Sequence, residues 1–535
     1  MRNYYSEIKP VLNKLSELNV LESLEIVRKY INAFAHNNSK LLISGVNKPE
    51  YNSVEIYFAD FLIVNIIRYS QDLPGKKSLN DVNTRYSICT PINDLQNKVN
   101  KLRIEKAPFV WLNSYIFNQD NMQLRINPLI LLYRYYYLYN APNIRELAEG
   151  IFKFPLESYF KATFFIFCLF EGRHFSYKEK ALFPLDYPQS DYTFEAINYI
   201  LCYISRSLPE LRALCKKHCN FDEDKIFNYY SDSPHIRFPL IKHDKTYFCV
   251  VPNYIICAAL EGLYYKLDWN NRTELANKEE IGQEFSSNFE KYVGHIFQNY
   301  FKCSNICYQS EITFKTGKSE AKTSDWIIWD ENDICFMDCK AKRITVEGKR
   351  ALEIDNHLIE VVLLQKPFSN KKRKEVIEKG MPDGLTKDLI ELGIGLGKIY
   401  VSYDDYRNGR ITGFPYMGDK TFHAFILTIE DNFCNICDIK DAIMKVAQCY
   451  RDEKSFNTNI IQDEEVSFVS IKDIENYTPT VAKLGIAKFI EVKKKNEIGK
   501  YWVKNDFLIG KANSELIDDM IEEMSRYKWR SDNQQ

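Results

Sequence analysis

Long apolar runs are missing from this chain of 535 residues. The longest, such as residues 162–170 between Lys161 and Glu171, fall far short of the roughly 20 that a bilayer-spanning helix needs. No membrane association is expected. Glycine and proline are scarce, at 20 and 18 residues, which excludes collagen-like and linker-dominated architectures. Excess positive charge is missing too: 71 Lys and Arg stand against 72 Asp and Glu, so any nucleic-acid surface has to be local. The opening Met1-Arg2-Asn3-Tyr4-Tyr5 has no charged-then-apolar signal run, and 14 cysteines in so long a chain fit reduced thiols better than a disulfide framework. A cytoplasmic protein is expected. What is present is 45% hydrophobic and 27% charged residues, enough for a sizeable core divided among several domains.

Residues 1–235 read as helical, because segments such as 21–35, 128–139 and 194–206 repeat apolar residues every three or four positions. Cys215, His218 and Cys219 cluster there without a second pair at a zinc-binding spacing. Residues 236–275 predict a hairpin across an Asp244-Lys245 turn and a connecting helix over 253–267. The grammar then changes. A helix over 279–301 precedes strands at 308–315, 325–329 and 334–341, then helices, then strands at 422–429 and 466–471. The expected fold class is α+β and multi-domain: a helical N-terminal half, then an α/β sandwich around a mixed sheet over 276–480, then a hairpin-and-helix extension over 481–535.

The chemistry concentrates in Ser324-Asp325-Trp326-Ile327-Ile328-Trp329-Asp330-Glu331-Asn332-Asp333-Ile334-Cys335-Phe336-Met337-Asp338-Cys339-Lys340. If residues 330–333 turn, Trp329 pairs with Ile334 and Asp325 falls opposite Asp338. Opposed residues share a face with Cβ atoms about 4.5–5.5 Å apart. Alternation adds Lys340 to that face and turns Cys339 to the other. Like charges opposed in an apolar sheet repel, and a divalent cation offsets this; hard carboxylate oxygens suit Mg²⁺ or Mn²⁺. The plainer alternative is that Asp325 caps a strand while Asp338 and Lys340 form an ion pair. Glu290, three and seven residues before Val293 and Phe297, borders a buried helix stripe.

The acidic helix Gly282-Gln283-Glu284-Phe285, continuing through Phe289-Glu290 and Tyr292-Val293, followed by Ser324-Asp325 and by Asp338-Cys339-Lys340, resembles the PD-(D/E)XK nuclease superfamily over about residues 276–475. The resemblance implies a restriction-endonuclease-like mixed sheet. It also implies Asp325, Asp338 and Glu290 as metal ligands, with Glu284 the rival for the helix position, and Lys340 as the catalytic lysine. Many relatives carry a glutamine on the helix after the lysine motif. Here that stretch offers Gly393, Gly395 and Gly397, with Lys398 the polar residue near its end.

Lys342, Arg343, Lys349 and Arg350 follow the site and are the expected phosphate-backbone contacts, with Lys371-Lys372-Arg373-Lys374 further on. Cys303, Cys307, Cys434, Cys437 and Cys449 invite comparison with iron–sulfur nucleases, but their spacing and the strand that follows them argue against a cluster. The expected activity is Mg²⁺- or Mn²⁺-dependent phosphodiester hydrolysis, most simply by a DNA endonuclease of bacterial restriction or anti-phage defence. An RNase, a DNA-repair nuclease of the same fold, or a nucleic-acid-binding scaffold with a vestigial site are the alternatives. Nucleic acid is the expected partner, DNA favoured over RNA, with room for a homo-oligomer or a partner protein. The helical half is expected to control target choice or activation.

Overall fold

The computed structural model describes residues 5–35, 56–92, 94, 127–172, 174–183, 185, 192–218, 233–274, 280–316, 319–341, 356–365, 375, 384–430, 437–455, 459–495 and 497–527. It is a mixed α/β protein, mostly helical, with several sheets. Among the described residues no helix is long and apolar enough to cross a membrane. The described residues divide into two compact units: one runs to Ile281 and resumes at Ile509, and the other is Gly282–Leu508.

The first unit is built on helices whose apolar faces are rich in aromatic residues. Leu156–Glu171 packs on Tyr192–Ile204, and the Phe152, Tyr159 and Tyr199 rings meet between neighbouring helices. The chain enters a π-helical turn at Cys257–Glu261, which misaligns backbone carbonyls, and the Tyr159 and Tyr139 hydroxyls donate to those of Ala259 and Leu260. The predicted hairpin is present as β3 (Leu240–His243) and β4 (Thr246–Cys249), with Asp244 and Lys245 both at positive φ in the two-residue turn. It is not a separate connector. Together with β1 (Ser176–Lys178) and β2 (Ser205–Ser207) it completes a four-stranded sheet in the order β1-β4-β3-β2, so residues before and after 235 share one structure.

In the second unit, β5 (Cys307–Ser310), β8 (Trp326–Trp329) and β9 (Asp333–Lys340) form an antiparallel meander. Strands β10 (Thr421–Thr428) and β11 (Val466–Ser470) extend it in parallel, giving the order β11-β10-β9-β8-β5. Ile334, Phe336, Phe422, Ala424, Ile426 and Phe468 fill one face under the helices Gly384–Arg407 and Cys437–Lys454. The alternate residues turn toward the helices Glu280–Phe301 and Ile471–Leu484.

Two expectations need correction. The strand expected over 308–315 is two: after β5 the chain jogs, and β6 (Thr313–Thr316) pairs with β7 (Ser319–Lys322) in a separate hairpin. The jog is held by Thr323, whose hydroxyl accepts from the Ile312 N–H while its own N–H donates to the Ile312 carbonyl. The hairpin expected over 481–535 is absent among the described residues there. Ile486–Lys494 is a helix, burying Ile486 and Val492 and pairing Glu491 with Lys488 and Lys495 along its exposed side.

Candidate active site

Residues 330–333 do form the turn between β8 and β9. The Asp330 carboxylate accepts from the N–H groups of Asn332 and Asp333, an arrangement that closes a tight turn without glycine. Trp329 pairs with Ile334 and Trp326 with Met337, where the paired ladder ends; Asp325 is one position beyond it, on the side of Asp338. Asp325 reaches back across the strand end, its Oδ2 accepting from the Cys339 N–H at 2.6 Å. Lys340 Nζ is ion-paired with Asp338 Oδ2, as expected for two residues on one face of a strand. Asp338 is buried, and the Lys340 side chain is 27% exposed.

Glu290, the third carboxylate expected, is carried by the helix Glu280–Phe301. Trp326 fixes its position: the indole Nε1 donates to the Glu290 carbonyl at 3.2 Å, and the ring lies where a side chain at Gly294 would be. The Glu290 carboxyl is held above its ordinary range by burial first, and then by Glu311, with Asp338 adding to the effect and Lys340 opposing it. Glu311 is exposed and ion-paired with Lys322 at 2.7 Å.

Asp325 is pushed up to about 7, by burial first and then by the facing Asp338 charge; Glu290 contributes in the same direction, and the Cys339 N–H and Lys340 oppose it. Burial works against the Lys340 ammonium, but Asp338 and Asp325 outweigh it and hold its proton above the ordinary lysine range. Both halves of the plainer alternative are therefore present, an ion pair and a strand-end hydrogen bond. Neither accounts for the remaining charge. Burial, and after it the charges of neighbouring carboxylates, raise the proton affinities of Asp325 and Glu290, and the Lys340 ammonium opposes both shifts.

A feature that sequence reasoning did not identify closes the site from the other side. Gly395 lies over the pair: a Cβ there would sit 2.7 Å from Asp338 Oδ2 and 3.0 Å from Lys340 Cε. The glycine run after the lysine motif was visible, but nothing in the sequence distinguished Gly395, which faces the site, from Gly393 and Gly397, which face Val446 and Tyr450. Lys398 is exposed. Lys342, Arg343, Lys349, Arg350, the 371–374 run and Cys434 lie outside the described residues, as does the Cys437 side chain. Cys303 and Cys307 are exposed, and Cys449 is half-buried.

Among the described residues, no three His, Cys, Asp or Glu side chains already stand gathered as a metal-binding group. The donor set nonetheless fits a hard divalent cation, since it supplies carboxylate oxygens alone and the ionised forms of Asp325 and Glu290 are each disfavoured without a further positive charge. Compared with protein-family models, curated proteins and solved structures, the chain matches none.

Proposed function

We propose that this protein is a metal-dependent phosphodiesterase of the PD-(D/E)XK type, acting on DNA as an endonuclease in bacterial restriction or anti-phage defence. The observation that carries the phosphodiesterase reading is Asp325 at the end of an antiparallel meander, bonded to the Cys339 N–H beside Asp338, with Lys340 ion-paired to Asp338 and Glu290 on the preceding helix acting on both electrostatically. The succession of helix, three meandering strands, helix and parallel strand supports a restriction-endonuclease-like sheet. The choice of DNA and the defence setting rest on the sequence resemblance.

Asp325, Asp338 and Glu290 would hold Mg²⁺ or Mn²⁺. When bound, such an ion supplies charge neutralisation and polarisation of a phosphate oxygen. Asp325 can hold or release a proton close to neutral pH. Lys340 stays charged, with its ammonium available to orient a water or to meet negative charge developing at phosphorus. Lys342, Arg343, Lys349 and Arg350 would neutralise the backbone on either side of the cut.

The test is incubation of the full chain with plasmid, linear duplex and single-stranded DNA and with RNA, with and without Mg²⁺ or Mn²⁺, beside Asp338→Ala. Cation-dependent cleavage by wild type alone is expected. Cleavage of RNA alone would move the reading to an RNase, and absence of cleavage together with absence of cation uptake would favour a scaffold with a vestigial site.

A further inference from the structure

The sheet of the second unit is covered unevenly. On the face opposite Asp338, the floor residues Met337, Phe425, Ser467 and Val469 meet a cavity of about 310 Å³ beneath Phe297, Tyr477 and Phe489. Native cores leave few voids larger than a water molecule, whereas drug-sized ligands occupy pockets from about 300 Å³ upward. Phe425, on a strand paired on both sides, is only half-buried, as are Tyr477 and Phe489 above it. The lining is predominantly apolar, with carbon surface from the strands and from three helices.

The rim is polar and asymmetric. Lys493 and Lys494, in the last turn of Ile486–Lys494, are exposed beside the opening, and among the described residues neither pairs with a carboxylate. Lys493 instead stands over the Tyr477 ring, 6.0 Å from its centroid. Two acidic residues also border the cavity. Asp473 is occupied, its carboxylate accepting from the Ser470 N–H and hydroxyl in a capping box. Glu464 is exposed in the turn Asp463–Glu465, so carboxylates and ammonium groups are equal in number around the cavity, and what concentrates positive charge at one place is the adjacency of Lys493 and Lys494.

We propose that this cavity is a binding site for a small amphipathic anion, its apolar body against Met337, Phe425 and Phe489 and its anionic head at Lys493 and Lys494. An apolar pocket with convergent charge at one end selects for a molecule divided in the same way. The site is independent of the nuclease reading, since none of the residues proposed for cleavage lines it. Its floor strand carries Asp338 on the reverse face.

The test uses full-length protein and calorimetric titration with three single-chain probes below their aggregation concentrations: dodecanoate, dodecanol and dodecylammonium. One saturable dodecanoate site per chain is expected, with dodecylammonium bound about tenfold or more weakly, a ratio appropriate to a charge-assisted contact. Lys493→Ala with Lys494→Ala should weaken dodecanoate and leave dodecanol unchanged. Ser467→Trp, which fills the cavity from its floor, should remove all binding while the protein still unfolds cooperatively; Val469→Phe serves the same purpose if the tryptophan variant does not fold. Absence of saturable dodecanoate binding to the wild type, or undiminished binding to a folded cavity-filled variant, overturns the site. Equal affinity for all three probes overturns the anionic head.

Discussion

Trp326 ties β8 to Glu290: its indole N–H donates to the Glu290 carbonyl, and its ring occupies the space above Gly294 one turn further along the helix. Phe297 meets the same ring edge-on at 5.7 Å. The strand that leads out of Asp325 and the helix that presents Glu290 are thus locked by one side chain. A methyl group at position 294 would overlap the indole ring.

Gly294→Ala is therefore expected to destabilise the protein by about 1–3 kcal/mol, the usual cost of overpacking, and to reduce cleavage beyond what the lost stability explains. Trp326→Phe keeps a ring in place and loses the hydrogen bond, so its effect should be smaller. Urea unfolding and initial cleavage rates at saturating Mg²⁺ separate the two effects. A Gly294→Ala protein with wild-type rate and stability would show that the helix is free to move away from β8.

Gly393, Gly395 and Gly397, within the Gly384–Arg407 helix, offer an internal comparison. Alanine favours a helix over glycine by about 1 kcal/mol, so each Gly→Ala change gains locally and loses by whatever the new methyl meets. At 393 and 397 it meets Val446 and Tyr450 at 2.6 and 2.7 Å, within the packing against Cys437–Lys454. At 395 it meets Asp338 and Lys340. Gly393→Ala and Gly397→Ala should lower the melting temperature with a proportionate loss of activity, whereas Gly395→Ala should lose most cleavage and cation affinity with a smaller change in melting temperature. Equal behaviour of all three would remove Gly395 from the site.

The register of β8 on β9, from Trp329 and Ile334 to Trp326 and Met337, was legible because everything that sets it is local: a four-residue turn, two apolar strands and the period of two. The helix carrying Glu290 was legible from its apolar period. Less local features were not. Residues 308–315 alternate as one strand would, and only the bonds of Ile312 to Thr323, eleven positions away, divide them between two sheets. Phe489, Ile490 and Val492 carry β-propensity, but burial of Ile486 and Val492 and the Glu491 ion pairs make that segment a helix. Gly395 matters through the atoms it approaches across the core, which no spacing in the sequence encodes.

The raised proton affinity of Asp325 sets a pH dependence opposite to that of a salt-bridged carboxylate. In the unfolded chain the group ionises near its ordinary value of 3.8, and in the folded protein near 7. Its contribution to stability is therefore complete at pH below about 4, declines as pH rises and is lost above about 7, where the charged group opposes folding. Asp325→Asn keeps an oxygen to accept from the Cys339 N–H and removes that charge. It should raise the melting temperature of the cation-free protein at pH 8, change it little at pH 4, and abolish cation binding. In the wild type, Mg²⁺ affinity should climb between pH 5 and 7 as the proton leaves. Thermal unfolding of both proteins at the two pH values decides the matter; an asparagine variant less stable than wild type at pH 8 would mean that Asp325 is a structural cap.

Lys340 and Asp338 touch, yet their removal should have opposite effects on cation binding. Asp338→Ala deletes a ligand, so cation affinity and cleavage should fall together. Lys340→Ala deletes the positive charge that competes for Asp338, leaving Asp325, Asp338 and Glu290 more in need of a counter-ion. Mn²⁺ affinity should be kept or increased in that variant while cleavage drops by about 10²–10³, the cost of removing one charge-stabilising donor from a transition state. Nucleic-acid affinity should change little in either, since the backbone contacts are proposed at other residues. EDTA should stop the wild-type reaction and Mg²⁺ or Mn²⁺ restore it, whereas Ca²⁺, with its looser coordination, should bind without supporting efficient turnover. If Asp338 and Lys340 form only a structural ion pair, both alanine variants lose stability alike and neither changes cation uptake. Titrating Mn²⁺ into the two variants and the wild type, with unfolding measured in parallel, distinguishes a site poised for a cation from a strand end held by a salt bridge.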